Sequence, residues 1–357
     1  MSHLYHTIVI GAGQAGLAAG YYLQRAGRDF LILDGHERVG DNWRQRWAGL
    51  RLFSPQRYNA LPGLAPSGGE WHLPTRLELA DYLEGYAQHF GLPLSLACTC
   101  ARAQKDPNGY WTLTTSRGDY RTQRLVIATG AYRTPAIPGA VADTFPADVR
   151  QLHSSEVRDV ADLADAATSV LVVGAGASGQ QLTRLLAATG ARVTLAGPKV
   201  PNLPRRLLHK DIYWWLYHSG MMTLRTDRYP GKLLLGNGGG DVTVGETPLP
   251  PTVNRVTTEI VSWREGSLRW HCHKTAPSPL PWPAAGTKGL VVWCTGYRNA
   301  YPWLPPAMLD EAGQPRRDGG RSTVYPEVTF LGLPNLRRPN SSLVGGVGAD
   351  AAAVVSP

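Results

Sequence analysis

The 357-residue chain is 43% hydrophobic and 18% charged with a formal net charge of +9, the balance of a globular protein long enough for two domains. It has no apolar run of the ~20 residues that a membrane helix needs, and its dispersed arginines make no basic run with interleaved aromatics, so membrane insertion and nucleic-acid binding are not expected. The four cysteines, Cys98, Cys100, Cys272 and Cys294, include no Cys-x-x-Cys and no zinc spacing, and they read as small packing residues, not as a disulfide framework, a redox pair or a metal site.

Residues 6–10 form a buried strand that leaves no room ahead of it for a signal peptide, so a cytoplasmic protein is expected. Gly11-Ala12-Gly13-Gln14-Ala15-Gly16 comes directly after it, then a helix over residues 17–25 with apolar positions at helical spacing, closed by Gly27. Residues 30–33 are a second strand, ending at Asp34. This is a βαβ unit with its glycines at the strand-to-helix turn. Gly11 permits the tight turn, Gly13 lets the backbone approach a pyrophosphate, and Gly16 allows helix and strand to pack closely. The helix N-terminus then holds the phosphates. Asp34, 23 residues after Gly11, stands where a carboxylate accepts hydrogen bonds from the adenosine ribose.

A loop-rich stretch, residues 35–74, leads to an amphipathic helix over 77–90 with Leu79, Tyr82, Leu83 and Tyr86 on one side. Segments 109–114 and 119–121 flank Ser116-Arg117-Gly118 as a hairpin, and 125–128 is a buried strand ended by Thr129-Gly130. From residue 170 the pattern restarts: strand 170–173, Gly174-Ala175-Gly176-Ala177-Ser178-Gly179, a helix over 180–188, Gly190 and a strand over 193–196. One such loop is a weak signal. Two in one chain imply two nucleotides held face to face, a layout suited to electron transfer from a nicotinamide to a flavin.

The second unit differs from the first at the ribose position. Its second strand ends Leu195-Ala196-Gly197-Pro198-Lys199, with no carboxylate there. A carboxylate at that point repels a 2′-phosphate, whereas Lys199 or the Arg205-Arg206 pair could neutralise one, which favours NADPH over NADH. Each of these cations equally suits a solvated loop face. Pro/Gly-rich connectors occupy 236–240 and 277–283, a buried strand over 290–293 leads to Thr295-Gly296-Tyr297, and a strand over 328–331 precedes a small-residue segment, 345–355, that could open a short final helix.

The chain resembles the flavin-containing monooxygenases of class B type, nearest to bacterial FAD/NAD(P)-binding flavoproteins linked by name to potassium transport; plant auxin-forming monooxygenases share the layout. The residues that carry the resemblance run the length of the chain. They are the Gly11 to Gly16 loop, Gly40-Asp41-Asn42-Trp43, Leu50-Arg51-Leu52-Phe53-Ser54-Pro55, Ala128-Thr129-Gly130 with Pro135 and Pro138-Gly139, and His153-Ser154-Ser155. The second glycine loop, Cys294-Thr295-Gly296-Tyr297, Leu331-Gly332-Leu333-Pro334 and Gly345-Gly346-Val347-Gly348-Ala349-Asp350 complete the set.

The resemblance implies an α/β fold of two Rossmann-like dinucleotide-binding domains in the glutathione-reductase-type arrangement, the second inserted into the first. FAD would bind residues 1–155 and 290–357, and NADPH residues 156–289. The FAD set would be Gly11, Ala12, Gly13, Gln14, Ala15, Gly16 and Asp34, with Trp43 and Arg51 near the isoalloxazine. Gly174, Gly176, Ser178, Gly179, Gln180 and Lys199 would hold NADPH, and Thr129-Gly130 and Thr295-Gly296 would be strand ends linking the domains. The implied reaction inserts one oxygen of O2 into a small apolar or heteroatom-containing organic substrate through a flavin C4a-(hydro)peroxide, with no side chain required as nucleophile.

The sequence departs from that family's fingerprint, Phe-x-Gly-x-x-x-His-x-x-x-Tyr/Phe. Phe145 stands eight positions before His153 where the fingerprint has six, no glycine lies between them, and Val157 replaces the last aromatic. Phe53-Ser54 stands where many heteroatom oxygenases place an asparagine. An NAD(P)H-dependent flavin reductase or oxidase, or a non-catalytic redox-sensing flavoprotein, therefore stays open beside the monooxygenase. Substrate contacts are expected from loops 35–74 and 213–240, whose Trp214, Trp215 and Tyr217 suit an apolar or aromatic ligand or ordinary interdomain packing. Substrate identity and oligomeric state are not fixed by these patterns.

Overall fold

The computed structural model describes residues 3–229, 232–233, 242–245, 247–271 and 278–355. The glycine connector at 236–240, Cys272 and Pro277 lie outside the described residues.

Two sheets dominate. In the first, strands β1 (Leu4–Ile10) and β2 (Phe30–Leu33) flank the helix α1 (Gln14–Arg25), as the βαβ pattern requires. They pair in parallel with Ile10 beside Leu33. On the other side of β1 lies a ten-residue strand over Gly118–Ile127, aligned so that Ile127 also stands beside Ile10. The segments expected at 119–121 and 125–128 are thus one strand. Its polar middle, Arg121-Thr122-Gln123-Arg124, interrupts the apolar pattern, but its first half pairs antiparallel with Trp111–Thr115 and its length with β1. Cys100–Lys105 adds a further antiparallel strand, and Val328–Phe330 extends the parallel core with Phe330 beside Ile127. The order places 328–330, 118–127, β1, β2 and Leu94–Ser95 side by side.

The second sheet is parallel throughout, in the order Asn254–Val256, Arg192–Ala196, Thr168–Val173, Lys288–Trp293, Arg150–His153. Val173 stands beside both Ala196 and Trp293, repeating the alignment of Ile10 with Leu33 and Ile127. Strands 150–153 and 288–293 belong to this sheet, so it reaches past residues 155 and 290 on both sides. The alternation along 170–173 shows how it is buried on both faces. Val170 and Val172 join the large core beneath the helix Ala177–Ala188. Leu171 and Val173 join a second core with Phe145, Trp270, Trp282 and Trp293, covered by a three-stranded antiparallel sheet.

Beside α1, the helix over Arg76–His89 starts at Thr75, whose hydroxyl accepts from Glu78 N–H while the Glu78 carboxylate accepts from Thr75 N–H. It buries Leu79, Leu83 and Tyr86, and its half-buried Tyr82 hydroxyl accepts from Leu61 N–H and donates to Leu64 O, fixing the loop ahead of it. The last helix, Val347–Val355, packs on α1.

Candidate functional site

Both nucleotide loops leave the carboxyl ends of the central parallel strands, the edge at which open α/β sheets bind ligands. In the first, Gly11 has φ +109 and a Cβ there would lie 2.5 Å from Ala128 O; a Cβ on Gly16 would lie 1.8 Å from Gly11 O. The second repeats both facts: Gly174 has φ +104 with Cys294 O at 2.3 Å, and Gly179 would meet Gly174 O at 1.8 Å. These four glycines are demanded by the fold itself.

Gly13 and Gly176 are different. A Cβ on either would meet nothing within 4 Å. Each is the N-cap of its helix, and neither helix start has a side-chain cap. Open space in front of uncapped N–H groups is what a diphosphate would fill, so these residues fit two dinucleotides.

Asp34 sits at the end of β2. One carboxylate oxygen accepts from Ala12 N–H at 2.6 Å; the other accepts from His36 N–H at 2.8 Å and stands 2.7 Å from His36 Nδ1. Burial alone would raise this carboxyl, but the bonds from His36 and Ala12 outweigh it and hold its pKa below the ordinary value. The same contact holds the His36 imidazole above its ordinary pKa. Asp34 is therefore an anchored carboxylate with acceptor capacity left on the Ala12-facing oxygen. The His36 contribution was not legible in the sequence, where it is one more loop residue.

The remaining expected residues fall into three places. Gln14 donates to Ser342 O, tying the first loop to the segment before the last helix. Ser178 is half-buried in its helix, and Gln180 donates to Ala175 O. Trp43 lies on the short helix Asp41–Arg44, begun by Gly40 at φ +89, where a Cβ would strike Ala80 O at 2.6 Å; its indole Nε1 is buried without a partner. Arg51 is exposed and its guanidinium donates to Leu73 O, while its backbone carbonyl accepts from Gln181 of the second nucleotide helix. Lys199 and Arg206 are exposed, and Arg205 is engaged by Asp211 at 2.7 Å and by Phe53 O at 2.6 Å.

The two Thr-Gly segments come together. Past Thr129-Gly130, Thr134–Pro135 pairs antiparallel with Tyr297–Arg298, and the Thr295 hydroxyl donates to Ala136 O. His153 lies beneath this crossing, fully buried, with its ring edge-on to Tyr297. Its Nε2 stands 3.0 Å from Gly296 O, a pure acceptor, and its Nδ1 accepts from Ser155 N–H, so the imidazole is neutral with its proton on Nε2. Burial lowers its pKa, more than the Gly296 bond raises it. Between the first half and residues 156–289, Tyr58 stacks on Tyr217 at 4.4 Å and Phe53 on Tyr213 at 6.5 Å.

Two sheets, each with an uncapped glycine loop at the carboxyl end of its parallel core and joined by a double crossing, are the layout of an oxidoreductase that brings two dinucleotides together. Residues 8–207, more than half of the chain, match the pyridine nucleotide-disulphide oxidoreductase family, and the chain belongs to it. It is an FAD- and NAD(P)H-dependent oxidoreductase. It is 33% identical to an uncharacterized CzcO-like oxidoreductase of Geobacillus kaustophilus over 98% of this chain and 97% of that one. Identity to the uncharacterized oxidoreductase CzcO of Bacillus subtilis is 31% over 99% and 98%. The names of these relatives refer to oxidoreduction, not to potassium transport. A flavin-containing monooxygenase from Stenotrophomonas maltophilia superposes with a TM-score of 0.76 at 24% identity, over 99% of this chain and 98% of that one, which establishes the shared fold.

Among the described residues no cysteine pair forms the disulphide of the family's name. The sequence lacks Cys-x-x-Cys. Cys98, Cys100 and Cys294 are free thiols, and burial pushes Cys100 up to about 11 and Cys294 up to about 12, so neither is a thiolate nucleophile near neutral pH. No described helix is long and apolar enough to cross a membrane.

Proposed function

We propose that this enzyme is an NADPH-dependent FAD monooxygenase that places one oxygen of O2 in a small apolar or heteroatom-containing organic molecule, working in the cytoplasm. FAD is assigned to the first sheet and NADPH to the second. The observation that carries the assignment is the contrast at the two ribose positions: an anchored carboxylate, Asp34, after β2, and Gly197 at the equivalent point of the second unit. The likeness to a flavin-containing monooxygenase and the lack of a Cys-x-x-Cys motif in the sequence support oxygen transfer over disulfide reduction.

FAD, held by the first glycine loop and Asp34, would supply the redox chemistry. The chain's own residues bind, orient and shield. The Gly13 and Gly176 loops receive the diphosphates, and Asp34 accepts from the ribose hydroxyls of the first nucleotide. The stacked pairs Tyr58–Tyr217 and Phe53–Tyr213, together with Arg205 on Phe53 O, tie the two halves to each other and so set how the two nucleotides would face.

The test is turnover under 18O2 with NADPH against a panel of thioethers, amines and cyclic ketones. The expected result is one 18O atom in the product of at least one class, with NADPH consumption coupled to product. Hydrogen peroxide accounting for all NADPH consumed with every class tested would replace this reading with that of an NADPH oxidase.

A further inference from the structure

The two βαβ units of this chain are copies whose residues correspond one to one at the strand ends. In the first, Gly11 N–H donates to Leu33 O and Asp34 N–H to Ser95 O; in the second, Gly174 N–H donates to Ala196 O and Gly197 N–H to Val256 O. Ile32 pairs with Leu94 and Leu33 with Ser95, as Leu195 pairs with Arg255 and Ala196 with Val256. Asp34 therefore corresponds to Gly197, and Leu94 to Arg255. At one position a carboxylate becomes a glycine; at its neighbour an apolar residue becomes an arginine. The charge at the strand ends is inverted between the copies.

Both changes are built into the fold. Gly197 has φ +143, and a Cβ there would lie 3.1 Å from Ala175 N, the counterpart of the Ala12 N–H that holds Asp34. The Arg255 guanidinium reaches across the end of the neighbouring strand, where it donates to Leu195 O, Gly197 O, Pro198 O and its own neighbour Val256 O. None of these four partners is a carboxylate. The contacts immobilise a guanidinium that pairs with no carboxylate among the described residues, on the strand beside the proposed ribose position of the second nucleotide. Lys199 and Arg206, by contrast, are exposed, and Arg205 is paired with Asp211.

We propose that Arg255 is the specificity-determining residue that makes the second site prefer a dinucleotide carrying a 2′-phosphate, as a fixed positive charge in place of the carboxylate that would repel it. The proposal rests on the assignment of NADPH to the second sheet. Its partner is a phosphomonoester, recognised by charge.

The FAD-loaded protein is titrated calorimetrically with 2′,5′-ADP and with 5′-ADP, fragments that differ in the 2′-phosphate and need no turnover. Wild type is expected to bind 2′,5′-ADP at least about tenfold more tightly, and Arg255→Gln to lose about tenfold of that ratio while its affinity for 5′-ADP is unchanged. Arg255→Lys keeps a charge but not the four-carbonyl contact, and covers the case in which the Gln variant does not fold. If charge is what matters, it keeps most of the ratio; if the contacts serve only the strand, it loses both ligands together and the proposal falls. A wild-type ratio that survives Arg255→Gln but disappears in Lys199→Ala or Arg206→Ala also overturns it. A wild type that binds both fragments equally overturns the NADPH assignment itself, a result distinguishable from the failure of Arg255 alone.

Discussion

At the scale of single residues, glycines in one loop do two different jobs, and substitution separates them. Gly16 is required by the protein: a Cβ there would sit 1.8 Å from Gly11 O, so Gly16→Ala must displace the turn, at a cost of about 1–3 kcal/mol or more, and is expected to lower the melting temperature of the apoprotein. On the proposed function, Gly13 is required by the ligand instead. Its Cβ would meet nothing within 4 Å, so Gly13→Ala should leave the apoprotein's thermal unfolding within about 0.5 kcal/mol of wild type while weakening retention of FAD on dilution. Equal destabilisation of the two apoproteins would show that the space in front of Gly13 is not a ligand space. Asp34 adds a second handle on the same nucleotide. Asp34→Asn keeps the shape but loses the charge and one acceptor for the Ala12 and His36 N–H groups, so FAD affinity should fall by about tenfold or more, read by the flavin released on gel filtration.

At the scale of elements, the helix over Arg76–His89 shows how a local device can be tested apart from the site. Its capping box joins Thr75 and Glu78, and Thr75→Ala should cost about 1 kcal/mol in chemical denaturation. The Glu78 carboxyl is held down to about 2 by the Thr75 N–H and by His72. A carboxyl depressed in the folded state stabilises fully above its unfolded value, near 4.5, and that contribution is lost as the pH falls from there through about 2. Glu78→Gln should therefore flatten the acid limb of the stability curve, modestly because the group is exposed. Elements of this kind were legible in the sequence because their signals are local: the βαβ units, the helix after Thr75 and the last helix all carry their glycines, caps and periodicity within a few residues. What was hidden is non-local. The strand over Gly118–Ile127 carries four polar residues in its middle, and only its two neighbours make it continuous. Arg255 lies 81 positions after Gly174, in a three-residue strand with no motif, and gains meaning only from its register with Leu195. Lys199, three residues past the strand end, is the nearest cation in sequence, whereas the proposal turns on a residue far along the chain.

At the scale of the whole molecule, the two halves share one core, and the crossing between them carries a buried imidazole. The chain crosses between the sheets at Thr134–Pro135 and Tyr297–Arg298, and His153 lies beneath, its Nε2–H on Gly296 O and its Nδ1 facing Ser155 N–H. A second proton on this imidazole would sit on Nδ1, where it faces the Ser155 N–H at 3.1 Å and the Ser155 hydroxyl at 2.8 Å. Burial lowers its folded pKa below the ordinary value of about 6.5. The unfolded state then takes up the proton first as the solution is acidified. Stability is accordingly full above about pH 6.5 and declines as the pH drops from there to the lower folded value, the reverse of an imidazole held by a carboxylate. The other groups around it are Glu156, which favours the proton, and Arg46, which opposes it and also reaches the Tyr297 hydroxyl from the first half. Denaturant midpoints measured from pH 8 to pH 5 on wild type and His153→Gln should diverge. The Gln variant is less stable at pH 8, where it forfeits the fitted ring, but loses less on acidification, so the difference between the two narrows toward pH 5. A constant difference across the range would mean that His153 does not titrate at the crossing, and that the coupling of the halves is indifferent to protons.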